Sequence, residues 1–180
     1  MAPVRLRRAF SLLATTLLAA LCGCTLLPER PESIPPPPSF DTPDRGKVGD
    51  AITLKGEKTE LKVTVLRVLD PAPVGNADTT LIPDARFVGI AVELENIGQA
   101  PFSESPLADA DLVTDGRPAE PVNLLGGPCG GSFPLHVTLR PNARKQGCIP
   151  FEVRGPDRLV AFKFALGSGF APEIGEWRLK

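Results

Sequence analysis

The sequence predicts an all-β fold, a sandwich of two antiparallel sheets with seven or eight strands. From about Val48 onward, apolar residues alternate with polar or small ones, as they do along half-buried strands. Gly, Pro, Asn and Asp recur between the alternating runs, where turns are expected. Nowhere does an apolar stripe of helical period persist for three turns. A closed β-barrel is the alternative arrangement.

The strands can be assigned individually. The clearest ones are "ELKVTVLRVLD", "RFVGIAVELEN", "CIPFEVR" and "LVAFKFAL", and weaker ones are "DAITLKG", "ADLVT", "LHVTL" and "EWRLK". In "RFVGIAVELEN", Val88 and every second residue up to Leu94 share an apolar face, which is typical of an antiparallel strand with one buried side. The same alternation predicts that Val160 and Phe162 point inward in "LVAFKFAL".

The first 23 residues have the pattern of a bacterial export signal. "MAPVRLRRAF" contains three arginines and no acid, and the apolar run "SLLATTLLAA" follows it. This run is too short to cross a hydrocarbon core, which needs about 20 apolar residues. Residues 1–23 are therefore predicted to be a signal peptide that is removed on export.

The end of this segment, "LCGC" at positions 21–24, resembles the bacterial lipobox. The resemblance implies cleavage after Gly23 and makes Cys24 the lipidated new N-terminus, with a diacylglyceryl group and fatty acyl chains such as palmitate. Two acyl chains anchor a protein firmly, so we expect the chain on the extracytoplasmic face of the cell membrane. "RRAF" resembles the twin-arginine motif, which leaves both general secretion and folded export open.

Residues 24–47 are predicted to be a Pro-rich, disordered tether, and residues 48–180 a single β-sandwich domain. The tether includes four consecutive prolines and lacks apolar periodicity. The formal net charge of −1 becomes −4 when the three arginines of the signal are removed. Such a mildly acidic protein is not expected to bind nucleic acid.

Cys129 and Cys148 remain once Cys22 is removed with the signal and Cys24 is acylated. Two thiols in an exported chain predict one disulfide. A zinc site would need four ligands, and His136 is the only histidine, so no metal is expected. Because Cys148 precedes the inward-facing Ile149, it is predicted to point outward, which would make the disulfide a surface link. Closing a loop of this length stabilises the fold by about 3 kcal/mol.

The order of the segments is similar to that of the telokin-like, or immunoprotective antigen-like, family of Gram-positive extracellular domains. The matching motifs are "GD", "EN-G", "L-D-G", "L-P" and "F-V", at Gly49, Asp50, Glu95, Asn96, Gly98, Leu112, Asp115, Gly116, Leu139, Pro141, Phe151 and Val153. The resemblance implies an immunoglobulin-like sandwich and brings no catalytic residues. Asn142 replaces the usual turn glycine, and Asn tolerates the same backbone angles.

The patterns that could indicate catalysis or ion binding are incomplete. No "GxSxG" motif accompanies His136, which is predicted to lie within a strand as a structural residue. Asp109, Asp111 and Asp115 suggest a calcium loop but lack the distal glutamate, so a solvated loop is expected. "GGPCGGSFP" lacks the Lys and helix of a phosphate-binding loop. The protein is predicted not to be an enzyme and to have no cofactor.

The function predicted from these features is non-catalytic. We expect a lipid-anchored extracytoplasmic domain that presents an exposed sheet edge, or the loops at one end, to another extracytoplasmic protein in an interaction or envelope-scaffolding role. The alternative is an envelope lipoprotein that binds a small ligand or an ion.

Overall fold

A computed structural model of the 180-residue chain describes residues 44–75, 80, 82–124, 127 and 129–180. The predicted signal peptide, Cys24 and nearly all of the predicted tether lie outside these residues. The described residues form strands and turns and contain no helix.

Ten strands occur in the described residues. They are β1 (Asp44–Lys47), β2 (Ala51–Lys55), β3 (Glu60–Leu69), β4 (Ala85–Asn96), β5 (Phe102–Glu104), β6 (Ala110–Thr114), β7 (Val137–Leu139), β8 (Arg144–Arg154), β9 (Leu159–Phe164) and β10 (Gly175–Arg178).

The strands form two four-stranded sheets and one small sheet. The larger sheets have the orders β1-β10-β9-β6 and β2-β3-β4-β8, and β5 pairs with β7. These pairs are antiparallel except for β1, which runs parallel to β10 with Asp44 beside Gly175. The all-β, two-sheet sandwich predicted from the sequence is therefore confirmed.

The apolar core unites side chains from both larger sheets. Phe162 of β9 lies near its centre, with ring centroids 6.3 Å from Phe151 of β8 and 5.8 Å from Trp177 of β10. Trp177 is 0% exposed, and its indole N–H donates to the carbonyl of Asp50 over 2.9 Å. Burying each large side chain of this kind stabilises the fold by about 1.5 to 3 kcal/mol. The alternating pattern of the sequence thus supplies the core that joins the two sheets.

Two details of the predicted fold are wrong. Residues 44–47, at the end of the predicted tether, form a strand that pairs with β10, and the N–H of Asp44 donates to the carbonyl of Ile174 over 3.0 Å. Val160 is 45% exposed instead of inward, and Leu159 is buried in its place. The register of β6 with β9 shifts between Val113 and Thr114, which reverses the alternation there.

Two asparagines shape the turns at one end of β4. The buried side chain of Asn96 donates to the carbonyls of Ala100 and Leu139, each over 2.9 Å, and accepts the N–H of Gly98. Asn142 adopts a φ of 65°, in the left-handed region where Asn is tolerated better than most residues. The sequence-based expectation that Asn142 can replace a turn glycine is confirmed.

Arg86 of β4 fastens the opposite end of the sandwich. Its guanidinium binds both carboxylate oxygens of Asp70, at 2.6 and 3.0 Å, and donates to the carbonyls of Arg154, Gly155 and Asp157. The hydrogen bond with Asp70 is the main cause that raises the pKa of Arg86. One planar cation therefore holds three chain segments.

Candidate interaction site

Phe170 has the most exposed large apolar side chain of the described residues, at 90%. It lies in the loop between β9 and β10, residues 165–174. A single exposed apolar residue is common on protein surfaces and is not by itself a site. The support beneath Phe170 makes it a candidate, because two carboxylates from a distant part of the chain bind the backbone of the turn that carries it.

The turn beneath Phe170 has an unusual backbone. Gly167, Ser168 and Gly169 have φ values of 64°, 55° and 82°, all in the left-handed region. A serine there is strained and persists only when its surroundings fix it. The N–H of Phe170 donates to the carbonyl of Gly167 over 3.1 Å, and the N–H of Ala171 donates to that of Leu166 over 3.0 Å. The turn therefore presents the Phe170 ring from a defined backbone.

Two carboxylates from another part of the chain fix this turn. Glu104, the last residue of β5, accepts the N–H of Gly167 over 2.7 Å. Asp109, immediately before β6, accepts the N–H of Ser168 through Oδ1, also over 2.7 Å. Two consecutive N–H groups are thus held by two acidic side chains, and hydrogen bonds to charged acceptors are among the stronger ones in proteins.

Asp109 is buried, which corrects the expectation of a solvated loop. Its side chain belongs to a residue only 4% exposed, and its second oxygen, Oδ2, receives no hydrogen bond. Burial is the main cause that raises the pKa of Asp109 to about 7; the N–H of Ser168 opposes this rise, and the nearby Glu104 carboxyl adds to it. The sequence places Asp109 next to β6, but its burial depends on the distant loop between β9 and β10.

A cleft of about 430 Å³ separates this turn from the turn between β2 and β3. Its lining residues are Gly56, Glu57, Lys58, Thr59, Glu104, Leu166, Gly167, Phe170 and Ala171. We call residues 56–59, 104 and 166–171 the Phe170 face. It combines one exposed aromatic ring with side chains of both charges, at Lys58, Glu57 and Glu104.

Asp44, the first residue of β1, lies at this same end. Asp44 is bonded to the carbonyl of Ile174, four positions after Phe170. The N–H of Lys55 donates to the carboxylate of Glu173 over 2.6 Å, which brings the end of β2 to the same loop. The Phe170 face therefore lies at the same end of the domain as Asp44.

The disulfide predicted from the sequence is present between Cys129 and Cys148, whose Cα atoms are 5.2 Å apart. The expectation of a surface link is wrong, because Cys148 is 0% exposed. The Cys148 side chain points away from the inter-sheet core, as predicted, but the segment around Gly131 folds back over β8 and covers it. The N–H of Cys148 donates to Gly131, and the N–H of Phe133 donates to Cys148. The disulfide fastens this covering segment to the edge of the sheet.

The other acidic residues of "DADLVTDG", which the sequence predicts to be a solvated loop and not a calcium site, are not brought together with Asp109. Asp111 is exposed on β6 and lies opposite Lys163. Asp115 accepts the backbone N–H and the guanidinium of Arg158, and these hydrogen bonds lower the pKa of Asp115. Within the described residues, no group of three or more His, Cys, Asp or Glu could hold a metal ion.

His136 lies immediately before β7, not within a strand as predicted. Its Nε2 is 2.9 Å from the hydroxyl of Ser103, which in turn is 3.0 Å from the hydroxyl of Thr138. All three side chains are exposed. In the part of the chain that the structure describes, no carboxylate is bonded to His136, although an acidic partner usually orients a catalytic histidine.

A search of the described residues for helices long and apolar enough to span a bilayer found none. Cys24, the predicted lipidation site, lies outside those residues.

Comparison with known proteins identifies the fold and leaves the family open. No family model and no curated protein sequence matches the chain. MPT63, a secreted protein of Mycobacterium tuberculosis, superimposes with a TM-score of 0.54 at 20% identity, over 76% of this chain and 98% of its own. YjhA of Bacillus subtilis superimposes with a TM-score of 0.50 at 19% identity, over 75% of this chain and 99% of its own.

A third similar structure is YcdA of Bacillus subtilis, described as a candidate lipoprotein. It superimposes with a TM-score of 0.53 at 13% identity, over 70% of this chain but only 39% of its own length. At these identities the likeness extends to the fold alone. This chain thus shares its β-sandwich architecture with MPT63, YjhA and part of YcdA.

Sequence reasoning missed the Phe170 face. The available signal was "GSGF" between two strands, which predicts a turn bearing an exposed aromatic residue. The carboxylates that hold this turn come from residues about sixty positions earlier in the chain, and no local pattern indicates such a contact.

Proposed function

We propose that this chain is a lipid-anchored, non-catalytic extracytoplasmic domain that binds another extracytoplasmic protein through the Phe170 face. The export signal and lipobox of the sequence support the location, as does the fold shared with a secreted protein. The telokin-like, immunoglobulin-like resemblance of the sequence agrees with a binding role. The proposal that the domain is non-catalytic is supported by the sequence, in which no "GxSxG" motif accompanies His136.

Lipid anchoring is tested at the N-terminus. Mass spectrometry of the protein purified from its native membrane should find a diacylglyceryl group on Cys24 and no residue before it. Cys24→Ala should abolish acylation and leave the signal attached. Cys22→Ala is the matched control and should be acylated like the unaltered protein. An N-terminal peptide that retains Met1 in the unaltered protein would contradict this part of the proposal.

The observation that carries the binding role is the 90% exposure of Phe170 on a turn held by two carboxylates. Aromatic residues that are rigid and exposed are typical anchors of protein interfaces. A bilayer is a less suitable occupant because Glu57, Glu104 and Glu173 cluster at this end, with Lys58 as one opposing charge on the cleft. Acidic side chains disfavour contact with anionic headgroups.

Site-specific crosslinking tests this assignment. A benzophenone amino acid at position 170, activated in intact cells, should form an adduct with one extracytoplasmic protein. The matched control is the same group at Val160, which is 45% exposed and lies toward the opposite end of β9. The identified partner, once purified, should bind Val160→Ser normally and Phe170→Ser at least tenfold more weakly. Adducts with lipid, with a second copy of the chain, or equally from both positions would overturn the proposal.

A small-ligand role is the second candidate, and the cleft of about 430 Å³ favours it because it has the size of many ligand sites. A thermal-shift screen with calcium, sugars and lipids separates the two functions. A ligand present at 100 times its dissociation constant stabilises the fold by about 2.7 kcal/mol, which raises the melting temperature measurably. A shift that Phe170→Ser abolishes would support ligand binding in this cleft.

A further inference from the structure

We propose that the carboxyl groups of Glu104 and Asp109 share one proton, and that losing this proton releases the turn that presents Phe170. The inference concerns the regulation of the Phe170 face. The shared proton and the release of the turn can be measured on the isolated chain. Only their effect on the binding of a partner rests on the proposed function.

The geometry of the two carboxyl groups supports a shared proton. Each already accepts one backbone N–H of the turn, from Gly167 and Ser168 respectively, over 2.7 Å. Asp109 Oδ2 is buried and receives no donor. Since a carboxylate only accepts hydrogen bonds, the neighbouring Glu104 can satisfy this oxygen only when one of the two acids is protonated.

The alternative state, with both acids ionised, is costly here. Two adjacent carboxylates repel each other, and burial removes the water that would screen them. The pKa of Asp109, raised to about 7 mainly by burial, agrees with a proton that stays bound in mildly acidic solution and leaves in alkaline solution. The two groups titrate as a pair, so the midpoint belongs to both.

Few other charges act at this position. Glu57 and Lys58 of the turn between β2 and β3 line the same cleft. Glu173 of the loop between β9 and β10 is engaged with the N–H of Lys55. Asp111, two residues along β6, points to the opposite, exposed face of its strand. Of these side chains and Glu104, only Glu104 contributes to the raised pKa of Asp109.

The strained backbone of the turn explains why loss of the shared proton would release the turn. Ser168 has a φ of 55°, and the two carboxylates hold its own N–H and that of Gly167 before it. When repulsion separates the carboxylates, at least one of these hydrogen bonds is lost and the strained backbone relaxes. Phe170, two residues later, then loses its fixed direction. We therefore expect an ordered Phe170 face at acidic pH and a mobile one at alkaline pH.

Amide exchange and carboxyl titration of the full chain, purified in detergent, test this inference. The side-chain carboxyl ¹³C signal of Asp109 should titrate with a midpoint near 7. After correction for intrinsic exchange, the protection of Gly167 and Ser168 should fall at least tenfold between pH 5.5 and pH 8.5. A midpoint below 5, or equal protection at both pH values, would overturn the proposal.

Two variants and a control sharpen the test. Asp109→Asn keeps an acceptor for Ser168 and offers a permanent donor to Glu104, so the protection of Gly167 and Ser168 should become independent of pH. Glu104→Gln should move the midpoint of Asp109 toward its ordinary value. Asp111→Asn, on the exposed face of β6, should behave as the unaltered chain. If the amide protection of Gly167 and Ser168 still depends strongly on pH in Asp109→Asn, the proposal is overturned.

Failure of this inference can be told apart from failure of the proposed function. A turn that titrates as described, together with no crosslinked partner at position 170, would refute the binding role alone. A partner that crosslinks equally well at both pH values, to a turn that does not titrate, would refute the shared proton alone.

Discussion

Raising the pH from about 5 to about 8 should destabilise this protein, because folding raises the pKa of Asp109. The group has an ordinary pKa of 3.8 in the unfolded chain and a pKa of about 7 in the folded one. Between these values the folded chain binds a proton that the unfolded chain does not. The resulting stability is fully present below the unfolded pKa and is lost as the pH rises through the folded pKa.

The size of the effect follows from the same two values. Each unit of pH in this interval changes the free energy of unfolding by about 1.4 kcal/mol, and the curve flattens near the folded pKa. The expected loss between about pH 5 and about pH 8 is therefore at most about 2 to 3 kcal/mol. Release of the turn at high pH lets Asp109 reach water and reduces this loss. The pKa of Asp115 is lowered in the folded chain, so this group changes the stability only at pH values below this interval.

Urea unfolding followed by tryptophan fluorescence measures the change. Trp177 is the only tryptophan, the chain has no tyrosine, and the indole is 0% exposed, so its emission reports loss of the core. Asp109→Asn should give the same free energy of unfolding at both pH values and exceed the unaltered chain at pH 8. Asp111→Asn should retain the normal pH dependence. If Asp109→Asn and the unaltered chain show equal slopes, the reasoning fails.

Three further predictions concern stability. Replacing Cys129 and Cys148 together by Ala should lower the free energy of unfolding by about 3 kcal/mol, and reductant should destabilise the unaltered chain but not this variant. Asn142→Val should cost about 1 to 2 kcal/mol because of its positive φ, whereas Asn142→Gly should change the unfolding midpoint little. Arg86→Lys should cost about 1 to 3 kcal/mol in urea unfolding, since an ammonium cannot reproduce the two-pronged bond to Asp70; unchanged stability would show that the guanidinium geometry is unimportant.

Sequence periodicity was sufficient for most of the fold because the apolar face of each main strand is buried, although the opposite faces of β4 and β8 are also covered, at Phe87, Ala91 and Cys148. The alternation in "RFVGIAVELEN" places Val88 and Leu94 on the buried side, and both are fully buried. The periodicity predicted the wrong face for Val160, because a register shift reverses the alternation there. It also missed the strand at residues 44–47, because their sequence "DRGK" has no apolar residue to indicate a strand. Such features depend on the neighbouring strand, and a local pattern contains no information about it.

The candidate site was less accessible to sequence reasoning than the fold. The pairing of Cys129 with Cys148 followed from their number and the export signal, but the burial of Cys148 depends on a loop that folds back over β8. The sequence indicated Asp109 only as a member of an acidic loop and not as a buried residue. Its role depends on Ser168, which lies beside it because β6 pairs with β9.

The position of β1 has a mechanical consequence. Tension applied through the N-terminal segment reaches Asp44 first and passes to the carbonyl of Ile174 in the loop that carries Phe170. If a bound partner holds Phe170, the two attachments lie at the same end of β1 and β10, which run parallel. A load between them then separates the hydrogen bonds of this pair one after another, beginning at Asp44, before it reaches the apolar core.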